Sequence, residues 1–495
     1  MTAPKPVYLV RCIVLCLFLG LATHTAAQTA NLVSNVDGKI KVIILHLGDG
    51  AYFDGFWFDM SVLIRDLIQK MDRDVGFVIL HGRDDSARRM LEGLQPFAGQ
   101  MLPDGTRRLK YLAVEVKTGD FYPWARDAYF IQQDAAGKLI FLDSGFNFKP
   151  FPVTGFKRIF KDAVIRAGLI PRGGGNVRTT NSEVFIGMDT ILGIDMTPRW
   201  SPYGHIRETL YTVAEQYQAA STQDLKRIFN AHADFLHHVL APDRHLTVPG
   251  RALFFDDLEQ GAFLFSKKTV HHTGAQAAYH TDVYLGLGHV DKGGRRVLFV
   301  ADSGRGGRLV AGLSPARRRA VEAALPGLLA REGFTAAGIP VSRQQIARRF
   351  QWSTHKLLDR GLEKAQALQP VFDRVALHLE TRGFRIVRIP CLPNGLPNGL
   401  TNSQPAHDRA MGVAFNYSNV LTEVYQDVRR VYIPRYGFAE LDAAAAAAYA
   451  RAGYEVIFIE GLLTNALTAR EHSKGLDCLT SEIRSTVQWT PSGDQ

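Results

Sequence analysis

The chain predicts an α/β fold made of a repeated mixed unit, in which paired strands, a helix and a further strand recur. Three observations carry that reading. From residue 41 onward, apolar runs of strand length alternate with amphipathic stretches of helical period. Hairpin signals such as Ala135-Ala136-Gly137 join strands in pairs. No shift of composition divides the chain. This rhythm favours radial repeats of one unit over a doubly wound sheet.

The elements follow in order. Residues 41–47 (KVIILHL) read as a buried strand, 60–71 as an amphipathic helix, 75–80 as a strand and 86–94 as a helix. A third strand, 111–116, runs into the turn Thr118-Gly119-Asp120, and 128–132 with 139–143 form a hairpin. Strands are expected at 183–186, 190–194, 253–255 and 262–265, around a long helical stretch at 207–240. Residues 279–285 and 296–301 read as a strand pair. A helix at 316–332 carries Pro326 as a kink or break, and a helix at 347–383 leads to a strand at 384–389. Residues 391–404, with their doubled Leu-Pro-Asn-Gly, read as a loop. Strands at 419–424 and 430–434 precede an alanine-rich helix at 443–452, with Asp442 as N-cap and Gly453 as terminator. A strand at 456–460 gives way to a polar loop that reaches Cys478.

Ahead of these elements, Lys5 and Arg11 introduce an apolar run at 12–22, and Thr25 and Ala27 occupy the small-residue places of a cleavage site. Residues 1–27 therefore read as a secretory signal peptide, since the run falls short of the roughly 20 apolar residues that a membrane span needs. The expectation is a periplasmic or secreted protein, with residues 28–495 as one domain and no integral membrane segment after cleavage. The composition, 46% hydrophobic and 21% charged over 495 residues, excludes a disordered chain, a collagen and a coiled coil. The formal charge of +10 suits a solvated basic surface, and no basic run interleaved with aromatics points to nucleic acid. Two of the four cysteines fall in the leader. Cys391 and Cys478 remain, either as one bridge or with one as a working thiol.

Several motifs of common chemistries are missing: there is no G-x-S-x-G, no phosphate-binding G-x-x-x-x-G-K and no H-E-x-x-H. His232, His237 and His238, and the adjacent His271 and His272, lack metal-ligand spacing with acidic partners and read as exposed or core histidines. Four features carry more. Trp124-Ala125-Arg126-Asp127 follows a strand and a turn; alone, its Arg-Asp step would be a surface ion pair. Gly174-Gly175-Asn176 leads into a strand. His280-Thr281-Asp282 puts an imidazole and a carboxylate on one face if the segment is extended. Cys478 lies in a polar stretch near the C-terminus.

In this order, Trp-x-Arg-Asp, Gly-Gly-Asn, His-x-Asp and a late Cys, the chain resembles the guanidine-modifying superfamily, especially bacterial peptidylarginine and agmatine deiminases. Asp143-Ser144-Gly145-Phe146-Asn147, Tyr417-Ser418-Asn419 and Val431-Tyr432-Ile433-Pro434-Arg435-Tyr436-Gly437 extend the likeness. The resemblance implies the pentein fold, a fivefold pseudosymmetric α/β propeller, here with helical insertions at about 205–250 and 315–380. It implies Cys478 as nucleophile, His280 as acid and base, and Asp127 and Asp282 as the carboxylates that hold a guanidinium. Asn419, Trp124 and Asn176 join as substrate-binding residues. It requires no metal or organic cofactor. The implied partner is a small guanidine or an arginine-containing peptide or protein, and the secretory leader favours peptidyl- or protein-arginine over agmatine or free arginine. The chain departs from the family pattern at Gly173, where many relatives have Glu, and at Asp477, where many have His; Asp477 would oppose a thiolate beside it. A non-catalytic binding module on the same fold is the contrasting reading, as is a structural Cys391–Cys478 bridge.

Overall fold

The computed structural model describes residues 31–47, 56–57, 60–82, 85–113, 124–134, 137–143, 153–166, 174–187, 269–273, 280–332, 335–336, 339–340, 357–393, 413–463 and 475–484. Expectations placed on 1–27, 118–120, 135–136, 144–147, 190–194, 207–240, 253–255, 262–265, 347–356 and 394–404 lie outside them.

One pairing rule recurs five times. An antiparallel strand pair is followed, after a crossover, by a third strand parallel to the second. Tyr129–Gln133, Leu139–Asp143 and Val164–Arg166 obey it. So do Val177–Thr179, Glu183–Ile186 and Thr269–His272. Leu285–Val290, Arg296–Asp302 and Arg385–Pro393 form the next unit, and Leu421–Tyr425, Val428–Pro434 and Glu455–Ile459 another. The remaining unit takes its first strand, Thr480–Arg484, from the far end of the chain. That strand pairs antiparallel with Ile40–Leu47, which runs parallel to Gly76–His81 and, through it, to Leu109–Ala113. The last described strand of the chain thus pairs with one of the first.

A parallel third strand demands a crossover long enough to return along the sheet, and in three of the units described helices supply it. Helix Ser61–Lys70 links Ile40–Leu47 to Gly76–His81 and buries Leu63, Ile64, Leu67 and Ile68, the i, i+1, i+4, i+5 stripe that the sequence shows. Each such side chain contributes about 1.5–3 kcal/mol when fully buried. Between Arg296–Asp302 and Arg385–Pro393 the crossover is larger. Helix Ser303–Ala311 is capped by Asp302, whose Oδ1 accepts from the Arg305 amide (2.7 Å). Helices Pro315–Arg331 and Leu357–Thr381 follow, the latter burying Leu358, Ala365, Leu368, Phe372, Val375 and Leu379.

Several expectations are corrected. Pro326 lies inside one helix, Pro315–Arg331, and does not divide it. The strand expected at 111–116 begins earlier, at Leu109, and is described as far as Ala113, 114–116 lying outside the described residues. The strand expected at 279–285 is a single 3-10 turn, Thr281–Val283, with strand Leu285–Val290 behind it. Asp442 is not an N-cap: the helix begins at Ala439, and Asp442 accepts from Tyr417 Oη (2.7 Å) and from the amides of Tyr436 (3.2 Å) and Gly437 (3.1 Å). Cys391 is not in a loop but in strand Arg385–Pro393, paired with Asn416 of Val413–Asn416. Gly453, at φ +88°, does end the alanine-rich helix, in the left-handed conformation that glycine tolerates best. Among the described residues no helix is long and apolar enough to cross a membrane.

Candidate active site

The first strand of each of the five units is preceded by a short turn, and the candidate residues sit on those turns. Helical turn Ala125–Ala128 leads into Tyr129–Gln133 and carries Asp127. The 3-10 turn Gly174–Asn176 leads into Val177–Thr179. Thr281–Val283, with His280 before it and Asp282 within it, leads into Leu285–Val290. Asn416 folds the next turn by accepting from the amides of Ser418 (2.9 Å) and Asn419 (3.3 Å), just ahead of Leu421–Tyr425. Helical turn Leu476–Leu479 leads into Thr480–Arg484 and carries Cys478.

These turns touch one another, so residues as distant in sequence as 127 and 478 become neighbours. Cys478 Sγ donates to Asp282 Oδ2 (3.0 Å) and accepts from Asn419 Nδ2 (3.0 Å). His280 Nδ1 lies 3.5 Å from Asp127 Oδ1, which also accepts from the Gly175 amide (3.3 Å). Asn419 fixes the cysteine turn as well: its Oδ1 accepts from the amides of Asp477 (2.7 Å) and Cys478 (3.2 Å), and its carbonyl from that of Leu476 (3.1 Å). A β-carbon on Gly175 would stand 2.6 Å from His280 Nδ1 and 2.7 Å from Asp282 Oδ2, so glycine alone allows that backbone so close to both groups.

Asp127, His280, Asp282, Asn419 and Cys478 are each at most 1% exposed. A thiol, an imidazole and two carboxylates taken out of water in one place are costly unless they serve each other or a ligand. Asp282 shows that cost. Burial pushes its carboxyl well above the usual carboxylate range, and the Asp477 and Asp127 charges add to the effect, while Arg178 and the Cys478 hydrogen bond offset part of it. Its Oδ1 is buried and has no hydrogen-bond partner among the described residues.

Asp477 has the opposite fate. Burial would raise it, but Arg126 and Arg178 hold it below the ordinary range. Arg126 reaches Asp477 Oδ1 at 2.9 Å and also pairs with Glu482, and Arg178 pairs with Asp477 Oδ2. The Arg126-Asp127 step is therefore no surface ion pair. Arg126 faces Asp477 and Glu482, and Asp127 faces His280. The negative charge that the sequence puts beside the sulfur is met by two guanidiniums.

Two further residues implied by the resemblance take supporting positions. Asn176 is fully buried, and its Oδ1 accepts from Thr281 N (3.0 Å) and Oγ1 (2.8 Å), tying the glycine turn to the His280 turn. Trp124 packs into the main hydrophobic core. Cys478 is not in a polar loop but on a buried helical turn, and no disulfide joins it to Cys391. His271 stacks on Phe185 (5.2 Å between ring centroids) as a core histidine. The sequence reading did not find Arg178, Glu482 or Arg484. Glu482 and Arg484 stand at i and i+2 on strand Thr480–Arg484, whose one apolar residue is Ile483, so no alternation marked it.

No family model matches this chain, and no curated protein does. Among solved structures, it is similar to C. jejuni agmatine deiminase with substrate bound, at 10% identity and a TM-score of 0.46, covering 93% of this chain and 98% of that one. It is similar to DDAH from Pseudomonas aeruginosa complexed with citrulline, at 10% identity and 0.31, covering 90% and 100%. It is also similar to SxtG, an amidinotransferase from Microseira wollei in the saxitoxin biosynthetic pathway, at 9% identity and 0.33, covering 92% and 98%. These proteins are members of the pentein superfamily.

Proposed function

We propose that this chain is a cysteine-dependent deiminase that hydrolyses a guanidinium to a ureido group and ammonia. The observation that carries the reading is the meeting of Cys478 with Asp282 at 3.0 Å and of His280 with Asp127 at 3.5 Å in one buried cluster. A guanidinium is a planar cation with N–H donors on every edge, and carboxylates match it in both charge and geometry. Asp282 Oδ1 supplies a buried acceptor for such a donor.

The chemistry follows from those groups. Asp127 and Asp282 fix the cation, with its central carbon against the sulfur. Cys478 passes its thiol proton to His280, and the resulting thiolate attacks that carbon and forms a C–S bond. One C–N bond then breaks, and His280 gives its proton to the departing nitrogen, which leaves as ammonia. Water enters, His280 takes a proton from it, and the oxygen adds to the thiouronium carbon. The C–S bond breaks and returns the thiolate, leaving a ureido product. The balance is guanidinium plus water to urea plus ammonium, with no net oxidation.

The recurrent strand unit supports a fivefold pseudosymmetric α/β propeller, with the five turns around its centre. The secretory leader read from the sequence supports an extracytoplasmic substrate, and so peptidyl- or protein-arginine ahead of agmatine or free arginine. The test is incubation of the protein with arginine peptides, free arginine and agmatine, with assay of ureido product and ammonia in equal amounts. Turnover lost in Asp127→Asn, with the fold intact by circular dichroism, is the expected result. No product from any of the three, or full activity in Asp127→Asn, overturns the reading.

A further inference from the structure

Two arginines stand beside the candidate site, and both are paired with Asp477. Arg126 directly precedes Asp127, and Arg178 lies on the strand that follows Asn176. Each is within electrostatic reach of Asp282. Their guanidiniums are chemically the group that Asp127 and Asp282 would take from a substrate. A protein that binds guanidinium ions with buried carboxylates must keep its own guanidiniums off them.

We infer that Asp477 does this: by pairing with both Arg126 and Arg178 it acts as a specificity-determining positioning residue that leaves Asp282 to an incoming cation. The inference rests on the guanidinium reading above. Asp477 is 1% exposed, so water cannot replace it as the partner of either arginine. Glu482 also holds Arg126, but it shares its charge with Arg484 (3.2 Å), which is anchored on the carbonyls of Asn35 (2.5 Å) and Gly38 (3.0 Å). Among the described residues Asp477 is the carboxylate paired with both Arg126 and Arg178. Without it, Arg178 has Asp282 as a nearby buried carboxylate, one that already feels its charge. An aspartate next to the nucleophile, a departure in sequence, then has a reason: it is the counter-charge to the site's internal decoys.

The experiment compares two alkylating agents of Cys478, cationic 2-chloroacetamidine and neutral iodoacetamide, in wild type, Asp477→Asn and Asp477→Asn/Arg178→Met. The cationic agent needs the free carboxylates, whereas the neutral one reports only on the sulfur. Asp477→Asn should lower the cationic-to-neutral rate ratio at least about tenfold, the scale of one charged hydrogen-bonded contact. The double variant removes the decoy with its keeper, while Arg126 retains Glu482, and should return to within about twofold of the wild-type ratio. An unchanged ratio in Asp477→Asn overturns the inference. So does a double variant as unselective as the single one. If Asp477→Asn does not fold, the double variant decides alone, because a lost preference there shows that the carboxylate itself is required. A wild type with no preference for the cationic agent sinks the guanidinium reading instead, so the two failures are told apart.

Discussion

Asn419 holds the cysteine turn through both polar atoms of its side chain: its Nδ2 lies 3.0 Å from Cys478 Sγ, and its Oδ1 accepts from the backbone amides of Asp477 and Cys478. The amide therefore places the sulfur and donates to it in a single geometry. A group that donates to sulfur favours the thiolate over the thiol, and one that accepts from the turn keeps the sulfur aimed.

Asn419→Ala removes both functions. Two buried amides lose their acceptor, which costs about 1–3 kcal/mol each when nothing replaces it. Turnover should fall by at least about a hundredfold, the penalty for loose positioning of a reacting atom. Asn419→Asp keeps the acceptor but exchanges the donor for a negative charge. It should recover most of the melting temperature and little of the turnover. Equal recovery of both would show that Asn419 only shapes the turn.

The two cysteines should behave differently. Cys478→Ser should abolish hydrolysis, because a hydroxyl is a far weaker nucleophile without a base tuned to it. Cys391 is fully buried in strand Arg385–Pro393, and burial pushes its thiol well up. Cys391→Ser should keep turnover while losing about 1–2 kcal/mol for a hydroxyl placed in an apolar strand. Iodoacetamide followed by peptide mapping should find Cys478 in the native protein, with Cys391 appearing only on unfolding. Native labelling of Cys391 at the same rate would contradict this.

Legibility in the sequence followed the range of the interaction. Strands 139–143 and 183–186 and the helix at 86–94 stand where their apolar period puts them, because alternation and helical stripes are local signals. The motifs that carry Asp127, His280 and Cys478 could be read because each is a compact cluster ahead of a strand. Their conformations could not: His280-Thr281-Asp282 is a turn rather than a strand, since Thr281 is bonded to Asn176, over a hundred positions away. The Arg126–Asp477–Arg178 network was invisible for the same reason, its partners lying 351 positions apart for Arg126 and Asp477. Strand Thr480–Arg484 was missed because its polar residues are buried against Asn35 and Arg126, which breaks the alternation that marks a half-exposed strand.

Asp282 predicts a pH signature. In the unfolded chain it titrates in the ordinary carboxylate range, and in the folded protein it keeps its proton to higher pH. Between those values the folded state holds the extra proton, so its contribution to stability is full below the unfolded value and is lost as pH rises through the folded one. Asp282→Asn is neutral throughout and lacks that slope. Its melting temperature relative to wild type should rise from about pH 4 to about pH 9. Asp477, held low by Arg126 and Arg178, gives the reverse sign: its stabilisation is present above the ordinary carboxylate range and is lost on acidification through the folded value. A guanidinium bound against Asp282 should also expel its proton, which calorimetry in buffers of different ionisation enthalpy would detect. Parallel melting curves for wild type and Asp282→Asn at all pH values would contradict the raised carboxyl.

Gly175 offers the sharpest steric test. An alanine β-carbon there would lie 2.6 Å from His280 Nδ1 and 2.7 Å from Asp282 Oδ2, closer than real contacts allow. Neither group can step aside freely, because Thr281 between them is held by Asn176 and Asp282 Oδ2 accepts from Cys478. Gly175→Ala should therefore displace the imidazole or the carboxylate and lower turnover by about a hundredfold or more. The overpacking should cost about 1–3 kcal/mol, leaving a folded protein whose loss is mainly catalytic. Gly93 is the matched control. It lies in helix Asp85–Leu94, and a β-carbon there would meet Ser61 Cβ at an ordinary 3.7 Å. Gly93→Ala should keep full turnover and gain about 0.5–1 kcal/mol from helix propensity. Steady-state kinetics and thermal melts on the two variants separate the cases, and a Gly175→Ala protein with wild-type kcat and KM would remove the turn Gly174–Asn176 from the site.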